Sequence, residues 1–175
     1  MHPTLVDIEN EFAEIELEVE RLANRLARME TESLAPLSQE EWEATLVCAS
    51  ATEKIYTGCE RVMARFAAEV DQAPVIHSQG WHSALLRRMA NPFPGIRPAV
   101  ISRETHASLD ALRAFRHRER NSYGGNLDLS IVVERGHEAI AGFNALRDDV
   151  RAFFVRDQKD NDGPEKGLNP MPNIP

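Results

Sequence analysis

The stretch FRHRERNSYG, residues 115–124, packs three arginines and a histidine ahead of an asparagine and a tyrosine. At about 100° per residue, Arg113, Arg116, Arg120 and Tyr123 follow steps of three, four and three and share one helix face, with His117 and Asn121 along its edge. Arg118 points elsewhere. Guanidinium groups offer paired planar donors that match phosphate oxygens, and an aromatic ring offers a surface on which a base stacks. Imidazole is the side chain suited to taking and returning a proton near neutral pH. Together these types describe a face for phosphate or RNA, with Leu109, Leu112 and Phe115 beside it turned to the core. The spacing alone also fits a plainer arrangement, in which basic residues near a helix C-terminus complement its dipole and pair with an acidic first helix.

The formal net charge is −8, and it is segregated. Residues 84–125 hold eight arginines against Glu104, Asp110 and Glu119, whereas residues 1–45 hold twelve acids against Arg21, Arg25 and Arg28. Net acidity therefore says little about the arginine face. An acidic first helix laid over that face would act as an internal brake.

Other chemistry finds little support in the residue spacing. The six histidines are scattered, with no HExxH or CxxC arrangement to converge on a metal, and His77 and His82 are the nearest pair to one. Neither a metal nor another cofactor is expected. No glycine-rich phosphate loop or GxSxG elbow occurs. Cys48 and Cys59 are eleven residues apart on what reads as one helix, roughly 16 Å and beyond disulfide reach, so both are expected as buried thiols. The opening MHPTLVDIENEF lacks the basic start and apolar run of a signal peptide, and nothing approaches the roughly 20 apolar residues that span a bilayer. The expected location is the cytoplasm, with no membrane partner.

The elements that must position this face can be read along the chain. Leu5, Ile8, Phe12, Ile15, Val19, Leu22, Leu26 and Met29 form the seam of a long amphipathic helix, which suits either a bundle or pairing with another chain as a short coiled coil. After the breaker at residues 34–37, Ser38 and Glu41 make a capping box, which starts a second helix at about Gln39 with a seam through Trp42, Leu46, Ala49, Tyr56, Cys59, Met63, Phe66 and Val70. Pro74 ends it, and a short helix follows over residues 79–90. Three prolines and a glycine in NPFPGIRPAVIS exclude regular structure over most of residues 91–102.

Ser102 then caps a fourth helix running to about Asn121, stopped by Gly124 and Gly125, and Asp128 or Ser130 caps a fifth. No run alternates long enough to need a strand. The expected fold is all-α, an antiparallel bundle of four or five helices over residues 1–156, with a disordered tail over 157–175 that has almost nothing to bury.

FRHRERNSYG, followed by Leu127 and Asp128, resembles the signature of HEPN-domain proteins, in particular the HepT-like ribonuclease toxins. The upstream pieces GWHSALLRRMA and PGIRPAVIS are similar to the same branch, so the resemblance extends over roughly residues 80–128 at motif level. It implies a HEPN-like bundle that forms a homodimer, in which two motif helices meet in a basic cleft and cleave RNA without a metal. The family pattern Arg-x4-His-x-Tyr falls on Arg116, Asn121 and Tyr123, so an amide stands where the pattern has its histidine.

Cleavage without a metal needs a base for the 2′-hydroxyl, a cation for the charge developing on phosphate, and an acid for the leaving oxygen. Arg116 is the expected charge stabiliser, with Arg113 and Arg120 holding phosphate. Asn121 can position phosphate or hydroxyl but cannot move a proton. His117 on the adjoining face is the candidate for proton transfer, with orienting Asn121 or the phosphate as its alternative. The resemblance further implies a partner nucleotidyltransferase antitoxin that attaches AMP to the motif tyrosine, Tyr123, silencing the toxin. Two rival readings remain at this level. One is a catalytically inactive HEPN dimer that binds RNA, a nucleotide or a partner protein, and the other is a structural adaptor using the seam of residues 5–29.

Overall fold

A computed structural model describes the backbone of residues 3–121 and 127–161, and the side chains of residues 3–116 and 127–157. Five helices follow in order: α1 Pro3–Met29, α2 Gln39–Glu69, α3 Trp81–Ala90, α4 Arg103–Asn121 and α5 Leu129–Asn161. Among the described residues there is no strand, only one isolated bridge between Phe93 and Arg97. The fold is all-α. Helix α5 continues four residues past Asp157, and most of the tail, like Gly124 and Gly125, lies outside the described residues.

The α1 seam is spent inside the bundle. Ile8, Phe12, Ile15, Leu22 and Leu26 are each no more than 3% exposed, so the strip that would serve a coiled-coil partner is already covered. Its cover is α2 and α5. Asp7 meets Arg65, Glu11 meets Arg61 and Glu18 meets Lys54, a register that runs α1 antiparallel to α2. Glu9 with Arg151 and Glu16 with Arg147 do the same between α1 and α5. The acidic first helix therefore pairs with arginines of α2 and α5. Among the described residues it touches neither α3 nor α4, and the acids beside Arg113 and Arg116 come from α4 and α2 instead.

Helix α2 is the centre, in contact with the other four. Its start is capped at Ser38, whose Oγ accepts the Glu41 N–H at 3.1 Å, while the Glu41 carboxylate returns to the Leu37 N–H at 2.6 Å. Its seam is buried from Ala49 through Phe66, where Phe66 meets Phe153 and Phe154 of α5 edge-on and tilted. Trp42 departs from the expected seam. It has the right angular position but stands on the first turn, half exposed, over an open cavity of about 880 Å³ between the α1–α2 turn and the start of α5. Helix α2 also ends at Glu69, before Pro74, because the chain turns to aim Asp71 inward.

Asp71 explains the fixed shape of the proline-rich connection. Its carboxylate accepts from Arg88 Nε at 2.7 Å and from Arg97 through both Nε and a terminal nitrogen, the latter at 2.9 Å. Arg97 also donates to the carbonyls of Pro98 and Asn91. With Asp71 fully buried and Arg97 1% exposed, the three side chains lock α2, α3 and the 91–102 segment together. Cys48 and Cys59 are buried free thiols.

Candidate functional site

Helix α4 carries the motif, and its start is fixed before its end can matter. Ser102 Oγ accepts the Thr105 N–H at 3.1 Å, and Asp149 of α5 accepts the Ser102 N–H at 2.8 Å and the Thr105 hydroxyl at 2.7 Å. Leu109, Leu112 and Phe115 are buried at 2% exposure or less, which sets the rotation of the helix. That rotation leaves Arg113 and Arg116 on the flank beside α2 and α3.

The arginines of the 84–125 segment do not form one free basic surface. Arg88 and Arg97 are consumed by Asp71, a residue just outside that window. Arg113 Nε donates to Asp110 Oδ1 at 2.7 Å, one turn back on the same helix. Arg116, 13% exposed, reaches across to α2, where Nε lies 3.4 Å from Glu53 Oε1 and a terminal nitrogen 3.3 Å from Glu60 Oε2. The same nitrogen lies 3.5 and 3.4 Å from Nδ1 and Nε2 of His82. Side chains of His117, Arg120 and Asn121, and all of Tyr123, lie outside the described residues.

Glu60 is the hinge of this cluster. Only 5% of its side chain is exposed, and its second oxygen accepts from His82 Nδ1 at 2.5 Å. A carboxylate buried this far needs such partners, because removing an unpaired charge from water costs several kcal/mol. Burial pushes the Tyr56 phenol well up, and the Glu60 charge adds to it, so Tyr56 stays protonated. Burial likewise pushes the Cys59 thiol up to about 12, which removes it as a nucleophile.

Helix α3 delivers His82 to this corner. Gly80 precedes it at φ 79°, a left-handed turn that suits glycine and sets Trp81 and His82 in the first turn. The Trp81 and His82 rings lie 3.9 Å apart and tilted, and His77 meets Trp81 edge-on at 4.3 Å. Glu53, Glu60 and His82 were not singled out by sequence reasoning as members of the site. A signal existed on α2, where Glu60 falls between Cys59 and Met63 on the buried face, a charge in an apolar stripe.

Among the described residues no group of three histidines, cysteines or acids could hold a metal ion, and no helix is long and apolar enough to cross a membrane. A family model described as HepT-like protein matches residues 47–156. No curated protein and no solved structure matches the chain. The matched span runs from α2 through α5 and includes the whole Glu60–His82–Arg116 corner together with the motif helix. The chain belongs to the HepT-like family of HEPN-type proteins.

Proposed function

We propose that the protein is a HepT-like toxin acting as a metal-independent endoribonuclease, with its cleft formed between two copies of the chain. The observation that carries this reading is the setting of Arg116. Its guanidinium is pre-placed at the motif position, partly open, and its contacts to Glu53 and Glu60 are long at 3.3 to 3.4 Å. Charge-assisted pairs in full contact are closer to 2.7–2.9 Å, so a phosphate oxygen can compete for this group. In the bound state Arg116 stabilises the charge developing on phosphorus, Arg113 and Arg120 hold neighbouring phosphates, Asn121 positions phosphate or hydroxyl, and His117 moves a proton.

Silencing fits the same face. A partner nucleotidyltransferase that attaches AMP to Tyr123 adds bulk and negative phosphate beside the arginines, which blocks and neutralises an RNA cleft. The rival, a catalytically inactive dimer that binds RNA, a nucleotide or its partner, is favoured by one feature, the amide of Asn121 in the histidine position.

Cleavage of total RNA in the presence of a chelator separates the two. The wild type is expected to cut, Arg116→Ala to lose roughly 10²-fold or more as expected for a removed charge stabiliser, and His117→Ala to lose a comparable factor. Incubation of the wild type with the partner and ATP is expected to add one AMP to the Tyr123 peptide by mass spectrometry and to stop cleavage. Chelator-resistant cleavage that Arg116→Ala leaves intact rules out the assignment, and an inert wild type that still binds RNA establishes the rival.

A further inference from the structure

We propose that His82, which lies outside the 115–124 motif, is a catalytic residue of this site: the general base that takes the 2′-hydroxyl proton. The proposal rests on the ribonuclease reading above. Cleavage without a metal needs both a base and an acid, and the 115–124 motif supplies a single imidazole, His117, with an amide at Asn121. The second imidazole comes from another helix.

Three features equip His82 for this role. Glu60 is an acceptor-only carboxylate, so the 2.5 Å contact makes His82 Nδ1 the donor and leaves the lone pair on Nε2. A buried carboxylate holding one imidazole nitrogen fixes the ring and supports the positive charge it acquires on taking a proton, the arrangement a histidine base requires. Nε2 lies 3.4 Å from the Arg116 nitrogen, so the group that would hold the phosphate and the atom that would take the proton are neighbours. Finally, the His82 side chain is 30% exposed, open to a substrate on one side and braced by Trp81 on the other.

The step balances without any added reagent. His82 Nε2 takes the proton as the 2′ oxygen forms its bond to phosphorus. The bond from phosphorus to the 5′ oxygen breaks, and His117, as imidazolium, gives that oxygen its proton. The products are a 2′,3′-cyclic phosphate and a 5′-hydroxyl, and solvent proton exchange resets the two imidazoles.

A purely structural role for His82, as counter-charge to Glu60, makes a different prediction. Among the described residues the titratable and charged groups around the corner are Glu53, Tyr56 and Glu60 from α2, Arg113 and Arg116 from α4, and His77 ahead of α3. A base must be neutral to act, so His82 governs the acidic limb of the rate profile, whereas the acid His117 governs the alkaline limb.

The test measures cleavage rates from pH 5 to 9 for the wild type, Arg116→Ala, His82→Gln and His82→Ala, with each fold checked by circular dichroism. His82→Gln is expected to lower the rate roughly 10²- to 10⁴-fold and to flatten the acidic limb, and added imidazole is expected to restore part of the rate of His82→Ala. If Arg116→Ala loses cleavage while His82→Gln keeps the wild-type rate, His82 is not the base and the ribonuclease reading stands. A slower His82→Gln with an unchanged acidic limb and no imidazole rescue also overturns the proposal. A wild type that cuts no RNA removes both readings.

Discussion

Asp71 and Glu60 are both buried carboxylates facing arginine, yet their surroundings fit different roles. Asp71 is fully buried, with close contacts from Arg88 and a nearly inaccessible Arg97, and every guanidinium contact there ties down a chain segment. Glu60 shares its oxygens between His82 and a looser Arg116 in a corner that opens to solvent. Removing one partner of a buried pair strands the other charge, at a cost of about 3–5 kcal/mol. Asp71→Ala is therefore expected to lower stability by about that much, read as a shift of the urea midpoint. Arg116→Ala is expected to cost clearly less, because His82 still faces Glu60. Equal losses would make Arg116 a clamp like Arg97, with no group held ready for phosphate.

At the level of elements, the local rules were readable and the convergences were not. Ser38 and Ser102 cap the helices their sequence context assigns to them, and the apolar steps of α1 and α4 bury most of the side chains they point to, with Leu5, Val19 and Met29 only partly covered. These signals act within a few residues of chain. Trp42 obeys the same periodicity and is still half exposed, since periodicity fixes a direction and not what covers it. The corner that holds Arg116 gathers residues 34 and 56 positions away from α3 and α2, a separation at which no spacing pattern operates.

What brings α2 into place is its close approach to α1. A Cβ on Gly58 would meet Ile15 Cγ1 at 2.5 Å, whereas one on Gly136 of α5 would only brush the Leu26 tip at 3.3 Å. Overpacking costs typically 1–3 kcal/mol, against about 1 kcal/mol gained from replacing a helical glycine by alanine. Gly58→Ala is thus expected to destabilise by up to about 2 kcal/mol, and Gly136→Ala to be neutral or slightly stabilising. Denaturant titration of the two variants checks the sign. A stabilised Gly58→Ala would mean that α1 and α2 can separate freely, and that the register aiming Glu53 and Glu60 at α4 is not fixed by this contact.

At the scale of the whole molecule, α1 and its acids stand apart from the motif helix, with α2 and α5 making the contacts to both. Among the described residues α1 leaves the α3–α4 corner free, and the proposed cleft makes a specific claim about how two copies share it. In a two-fold dimer each site can take Arg116 from one chain and His117 from the other. Arg116→Ala and His117→Ala are each inert by this account, but a hybrid dimer of the two contains one site with both groups intact. Half of the dimers formed by random mixing are hybrids with one good site of two, so unfolding the variants together and refolding them should restore about a quarter of the wild-type rate. Sedimentation should give twice the 19.7 kDa chain mass in every sample. If the mixture stays inert while sedimenting as a dimer, each site draws Arg116 and His117 from the same chain, and the two motif helices meet without exchanging catalytic groups.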